Sequence, residues 1–224
     1  MYRVILADPP WQFNDRRETR RDNPTRASKF GTGVQRRYSA GTMPQEALCS
    51  LGPLIQAIAA PDAYLFLWVC ESQPYAHLEL ADSWGFRLIN TAFSWQKTNL
   101  RSLTPHFGTG KYTAGNLERC LLARNTATKA PCWHQTTSGC YKPAQAISAP
   151  HPRDKDGKII HSRKPDLVHQ EIERWLRPYL GGMGMLELFA TQRRPGWTTL
   201  GHALTGTDIR DDLESLINAK EQAS

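Results

Sequence analysis

The residues best suited to chemistry stand near the start of the chain. Asp8-Pro9-Pro10-Trp11 follows the run from Tyr2 to Ala7, which reads as a buried strand ending at an acid. Two consecutive prolines hold the turn extended and have no amide hydrogens. The Asp8 carboxylate and the turn's carbonyls are left as acceptors facing the cleft beyond the strand, and Trp11 adds a flat apolar face. Acceptors beside a stacking plane suit an extruded base that carries an exocyclic amine. The plain alternative is a rigid turn with a core tryptophan.

A second feature follows at once. Residues 16–37 hold Arg16, Arg17, Arg20, Arg21, Arg26, Lys29, Arg36 and Arg37 against Glu18 and Asp22, so eight positive charges meet two negative ones for a net of +6. The whole chain carries +7, so nearly all the excess sits here, with little apolar content. Such a stretch is an electrostatic footprint for nucleic acid or a solvated basic loop. Cys132, His134 and Cys140 match no standard zinc spacing, and no metal is expected. Asn116 and Glu118, at the start of the short run Leu117 to Ala123, suit either a polar cleft or a turn.

These residues need elements to place them. Thr42-Met-Pro-Gln45 offers an N-cap, a proline in the first turn and a capping-box glutamine. Leu48, Leu51, Ile55 and Ile58 then recur at helical spacing. Ala63 to Val69 is a continuous apolar run and predicts a central strand. Ser72 is placed to cap a second helix that Gly85 stops. Phe86 to Trp95 reads as a strand, 125–157 as a variable surface loop, Asp166 to Leu180 as a helix and Gly184 to Phe189 as a last core strand. A polar helix or tail closes the chain over 208–224. Strands thus alternate with helices, which predicts an α/β fold with a mostly parallel sheet and helices on both faces. In such sheets ligands bind beyond the carboxyl ends of the strands.

The chain has 224 residues, 40% hydrophobic and 22% charged, a composition for one globular domain, expected over 1–207 with loops at 12–43 and 125–157. No run approaches the roughly 18–20 apolar residues of a membrane span, and the N-terminus lacks a secretory pattern. The five cysteines are scattered and form no CxxC pair, which predicts a cytoplasmic protein without a disulfide scaffold. No GxxxxGK[ST] or GxGxxG loop is present.

Several segments together carry a resemblance. They are Asp8-Pro-Pro-Trp11, Asp62 to Val69, Trp84-Gly-Phe86, Trp95-Gln-Lys97-Thr-Asn99, His161-Ser-Arg-Lys164-Pro165-Asp166, Leu186-Glu187-Leu-Phe189-Ala190, Arg194-Pro-Gly196-Trp197 and Gly201. In this order they resemble the DPPW-motif adenine methyltransferases of the MT-A type, the family of the catalytic subunit of the mRNA adenosine N6-methyltransferase. The likeness covers roughly residues 2–204. It implies a Rossmann-like methyltransferase fold with S-adenosylmethionine as methyl donor. It also implies a permuted order, with the catalytic motif first and the donor-binding strand last.

The resemblance also implies roles. Asp8, Pro9, Pro10 and Trp11 are expected to be catalytic. Asp8, Lys164, Glu187, Phe189, Ala190, Thr191, Arg193 and His202 are expected to bind the donor. Trp11, Tyr38, Lys97, Asn99 and the arginines at 16, 17, 20, 21, 36 and 37 are expected to meet the nucleic acid. Thr191 stands where many members have Arg, His202 where they have Asn and Ala203 where a polar residue is common; Arg193 is the expected substitute for the missing Arg. The implied reaction is methylation of the 6-amino group of adenine in DNA, as in compact bacterial or phage-type members. Its rivals are the same reaction on RNA and an inactive fold that only binds nucleic acid. A second copy or a partner methyltransferase subunit stays open, and no membrane partner is expected.

Overall fold

The computed structural model describes residues 1–12, 41–73, 75–107, 113, 115–127, 141–160 and 163–222. The first strand, β1 (Tyr2–Ala7), leads through the helices α1 (Gln45–Cys49) and α2 (Gly52–Ile58) into β2 (Ala59–Trp68). Next come α3 (Ala76–Ser83), β3 (Phe86–Thr98), β4 (Leu117–Asn125), β5 (Ala146–Pro150) and α4 (Asp166–Leu176). The chain closes with β6 (Gly184–Leu188), β7 (Thr198–Leu200), α5 (His202–Thr205) and α6 (Ile209–Glu221). The seven strands form one sheet in the order β5-β3-β4-β2-β1-β6-β7.

Six strands run one way. The β1–β2, β1–β6, β3–β5 and β6–β7 pairs are parallel, and β4 alone runs against both of its neighbours. The sheet is therefore mostly parallel and Rossmann-like. The two-residue period of the strands builds two cores. Ile5, Ala7, Leu65 and Leu67 face one side, where Leu48, Ile55, Leu80, Ile209 and Leu213 pack from α1, α2, α3 and α6. Val4, Leu6, Tyr64, Phe66 and Trp68 face the other, under Val168, Ile172, Trp175 and Leu176 of α4. Both faces are covered, which is why β1 and β2 read as unbroken apolar runs.

The local signals were less faithful than the pattern. Leu48 to Ile58 forms two helices instead of one, because Pro53 lacks the amide needed to continue a single ladder. Gly52 lets α2 meet α3: a Cβ there would lie 2.1 Å from the Ser83 carbonyl oxygen. Gln45 makes no capping box; its amide donates to the Ala76 carbonyl at 2.8 Å and ties α1 to α3. Ser72 does not cap α3, whose N-cap is Tyr75. The stretch read as a variable loop, 125–157, contains β5, an edge strand beside β3. At the C-terminus, the Asp208 side chain accepts the Arg210 amide and starts α6, which packs in the same core as α2.

Candidate active site

The sheet order creates a cleft. β1 lies between β2 and β6, with Ala7 opposite Leu67 on one side and Leu188 on the other. Asp8 and Phe189 therefore leave adjacent strand ends although 181 positions separate them in sequence. The chain runs from β1 to β2 on one side, and β6 runs to β7 on the other, so the strand order reverses here, as at the ligand crevice of open α/β sheets. Phe189 has a φ of 61°, the left-handed region. A bulky residue held there is strained and marks a place where surrounding structure dictates the turn. Behind it the chain crosses itself tightly: a Cβ on Gly201 would lie 2.5 Å from the Ala190 carbonyl oxygen. The Ala190 amide donates to Leu200 at 2.8 Å and pins the turn.

Three charged side chains, each from a different part of the fold, meet beside Asp8. Lys164, just before α4, places Nζ 3.0 Å from Asp8 Oδ2 and 2.9 Å from Glu118 Oε2. Lys97 on β3 holds the other oxygen of Glu118 at 2.5 Å. The chain Asp8–Lys164–Glu118–Lys97 alternates in sign and sums to zero. Lys164 also lies 5.2 Å from the centre of the Trp68 ring, a cation-π contact that fixes it from below. Burial pushes the Asp8 carboxyl up to about 6; Lys164 pulls it down, while Glu118 and Glu187 push it further up. Burial also works against the charged form of Glu118, but two lysines overcome it and bring that group down to about 2. Of the two acids, Asp8 alone changes charge near neutral pH.

Beside this chain opens a cavity lined by Asp8, Lys164, Glu187, Phe189, Thr191 and Arg194, with Arg163, His169 and Gln192 among its other walls. Several of its polar atoms are unsatisfied. Among the described residues, both ring nitrogens of His169, Glu187 Oε2, Arg163 Nε and Arg194 Nε are buried without a hydrogen-bond partner. His169 Nε2 does lie 3.0 Å from Glu187 Oε2, but the approach lacks hydrogen-bond geometry. Buried polar groups are nearly always paired, so a cluster of exceptions around one cavity calls for a polar ligand.

The expected residues divide. Asp8, Lys164, Glu187, Phe189 and Thr191 share this cavity. Ala190 is buried beneath it. Arg193 is not in its wall; Arg194 is, and Arg194 also holds Asp166 at 2.8 Å. Of the two adjacent arginines the one at the cavity is thus one position later than expected, since neighbouring residues in a turn point in different directions. His202 lies exposed on α5, its ring 3.3 Å from the Thr207 carbonyl. Lys97 is committed to Glu118. Asn99 uses its amide on its own turn, donating to Thr104 Oγ1 at 3.0 Å. Tyr38, the arginines at 16, 17, 20, 21, 36 and 37, and Cys132, His134 and Cys140 lie outside the described residues.

The Pro-Pro-Trp segment requires two corrections. Its carbonyls are already in use: Pro9 accepts the Trp11 amide and Pro10 the Met43 amide, each at 2.8 Å, which leaves each oxygen one further lone pair. Nor does Trp11 present a free face. Its ring is 5% exposed within the core, and its indole N–H donates to the Trp68 carbonyl at 3.3 Å. The turn folds back on itself because the prolines leave only carbonyls, and the next available amides satisfy them. Trp11 therefore anchors the turn, and the Asp8 carboxylate is the acceptor that faces the cavity.

Sequence reasoning missed Arg163, His169, Gln192 and Arg194. His169 carried a signal, because it breaks the apolar face that Val168 and Ile172 give α4. Glu118 was legible only as one of two alternatives, and the structure assigns it to the cleft.

Two comparisons bear on this site. The family model described as MT-A70 matches residues 2–203. The chain is also similar to the Type II methyltransferase M.MunI of Mycoplasma sp, at 26% identity over 204 residues, covering 89% of this chain and 76% of that protein.

Proposed function

The chain belongs to the MT-A70 family, and from that premise we propose that this methyltransferase transfers a methyl group from S-adenosylmethionine to the 6-amino group of adenine in DNA. The observation that carries the proposal is Asp8: an acceptor pushed up to about 6, just past the end of β1, steered by Lys164 and beside a cavity whose buried polar atoms lack hydrogen bonds.

The cavity's donor set fits S-adenosylmethionine. Its ribose hydroxyls and α-ammonium need acceptors, which Asp8, Glu187 and the His169 ring provide. Its α-carboxylate needs cations, which Lys164, Arg163 and Arg194 provide. When bound, the donor supplies an electrophilic methyl group. All other steps fall to the protein and the base.

The adenine 6-amino nitrogen is a weak nucleophile because its lone pair is delocalised into the ring. An ionised Asp8 accepts one of the amine hydrogens and localises that pair. Positive charge grows on the nitrogen as the new N–C bond forms, so the interaction strengthens towards the transition state, the condition for catalysis. The nitrogen must then lose a proton, and Asp8 receives it. A carboxylate raised towards 6 is a better proton acceptor than an ordinary one. Lys164 fixes the carboxylate's direction, and Glu118 with Lys97 fixes Lys164. Arg163, His169 and Glu187 close the walls and keep the methyl aligned, a proximity effect.

DNA is proposed over RNA on the similarity to a Type II methyltransferase along most of that protein's length, with the basic run of residues 16–37 as the source of phosphate attraction. The test uses methyl-labelled donor with parallel DNA and RNA pools, followed by mapping of the labelled bases. Label in 6-methyladenine from the DNA pool is the expected result. Label confined to RNA, or to another base, refutes the substrate. No label, together with no donor binding by calorimetry, marks an inactive fold.

A further inference from the structure

We infer that the turn after β3 is an apolar wedge that enters a base-paired duplex and fills the gap left by the extruded adenine. The inference rests on the nucleic-acid reading above and adds that the substrate is double-stranded.

The turn runs from Asn99 to Phe107 at the carboxyl end of β3, the same sheet edge as Asp8. It exposes three large apolar side chains within eight residues: Leu100 at 53%, Leu103 at 67% and Phe107 at 67%. Single exposed leucines mean little, but these stand on a braced frame. The Asn99 amide donates to the Thr104 carbonyl at 2.8 Å, and the His106 amide to the Lys97 carbonyl at 2.8 Å. The Asn99 side chain adds bonds to Thr104 and His106. Leu103 sits at the tip with a φ of 56°. A leucine in the left-handed region costs conformational energy, and at this exposure it returns almost no burial in exchange. Glycine or asparagine would serve the turn better, so the side chain is kept for a contact outside the protein.

The surroundings identify that contact. Arg101 stands beside the first tip in the sequence, and no acidic residue occurs between Lys97 and Phe107. Apolar tips on a turn that carries a cation and no acid match stacked bases bordered by phosphates. β3 lies three places from β1 in the sheet, about 14 Å at the usual spacing of strands. The turn and the cleft are also joined by the charged chain through Lys97, Glu118 and Lys164. Chemistry on a base amine inside a duplex requires the base to leave the stack, and an apolar side chain inserted between base steps offsets part of the cost of unstacking.

The test compares wild type with Leu103→Gly/Phe107→Ser. Glycine suits the tip's φ, so the variant keeps its fold, checked by thermal unfolding. Methyl transfer is measured on one random-sequence DNA pool, as single strands and after conversion to matched duplex. The variant should lose at least tenfold on duplex and stay within twofold of wild type on single strands. A second measurement needs no methyl transfer: a duplex pool carrying 2-aminopurine in place of some adenines should brighten on binding wild type and stay dim with the variant. Equal losses on both pools, or no loss on duplex, overturn the wedge. So does a lower mass for the variant in sedimentation without DNA, which would make the tips a contact between copies of this chain. If wild type methylates neither pool, the proposed reaction fails. The 2-aminopurine signal then decides the wedge alone, and its absence with wild type overturns it.

Discussion

β1 meets a charged pair near each end, and the two pairs are built differently. At the foot of the strand, Arg3 grips Asp62 on β2 with two nitrogens, at 3.2 and 2.9 Å, and gives a further hydrogen bond to the Tyr179 carbonyl at 2.9 Å. A planar guanidinium forked onto a carboxylate holds one geometry. Past the top of the strand, Lys164 offers Asp8 a single nitrogen and divides it with Glu118. An ammonium is a point charge with rotatable donors, so a ligand can take over one of its bonds without dismantling the rest. The foot surrounds its pair with satisfied carbonyls, whereas the rim surrounds its pair with buried polar atoms that make ion contacts but no hydrogen bonds. One construction serves the fold, and in the proposed reading the other serves a reaction.

This contrast can be broken by substitution. The largest effect is expected where a rim residue has been taken over by the core. Trp11→Ala should cost about 3–5 kcal/mol as a large buried aromatic, a drop in Tm of roughly 10 °C for a chain of this size, whether or not substrate is present. A near-normal Tm with weakened binding to DNA would return Trp11 to the stacking role expected from sequence.

Asp8→Ala should reduce methyl transfer by about 100–1,000-fold, the usual loss for one preorganised electrostatic group, without lowering Tm at pH 7. The sign follows from the raised pKa. The folded state holds the Asp8 proton more tightly than the unfolded chain does, so Asp8 costs stability as pH rises from about 4 through 6. The effect is complete above 6 and absent below 4. The variant should therefore match wild type in stability at pH 3.5 and equal or exceed it at pH 7.

Arg3→Met should show the reverse pattern. It removes the guanidinium from Asp62, which is about one-fifth exposed, at a cost of about 1–3 kcal/mol, while turnover measured well below the melting range stays within twofold of wild type. A large loss of turnover would mean that the two ends of β1 are coupled.

The smallest effects are shifts of the pH profile. In wild type, kcat/KM should fall as pH drops through about 6, because the protonated form of Asp8 no longer accepts the amine hydrogen. Glu118→Gln removes a like charge and should move that limb to lower pH. Lys164→Met removes the attracting charge and should move it higher, with a raised Michaelis constant for the donor. Shifts of the same sign in both variants would refute the charge chain.

Much of the rim's address was legible. An apolar run ending at Asp8, and another ending at Phe189, are buried strands by composition alone, and a parallel sheet puts both ends on one edge. The direction of β4 was not legible, because an apolar run looks the same read either way. β5 was hidden in a Thr-, Pro- and Lys-rich stretch, since an edge strand of five residues needs little apolar character. Arg193 and Arg194 carry the same charge at adjacent positions, and only the turn's geometry tells them apart.

By itself, the sequence determined most of the core elements, the two-faced core, the Asp-Pro-Pro-Trp turn and its place at the end of a strand. These are local: side-chain period, proline geometry and apolar runs act within a few residues. The tertiary structure decided that Asp8, Lys97, Glu118 and Lys164, drawn from positions as much as 156 apart, form one alternating chain. It also decided that Trp11 turns inward and that His169 and Arg194 face the cavity. Coulomb interaction and desolvation depend on distance and surroundings in space, and strand order sets both.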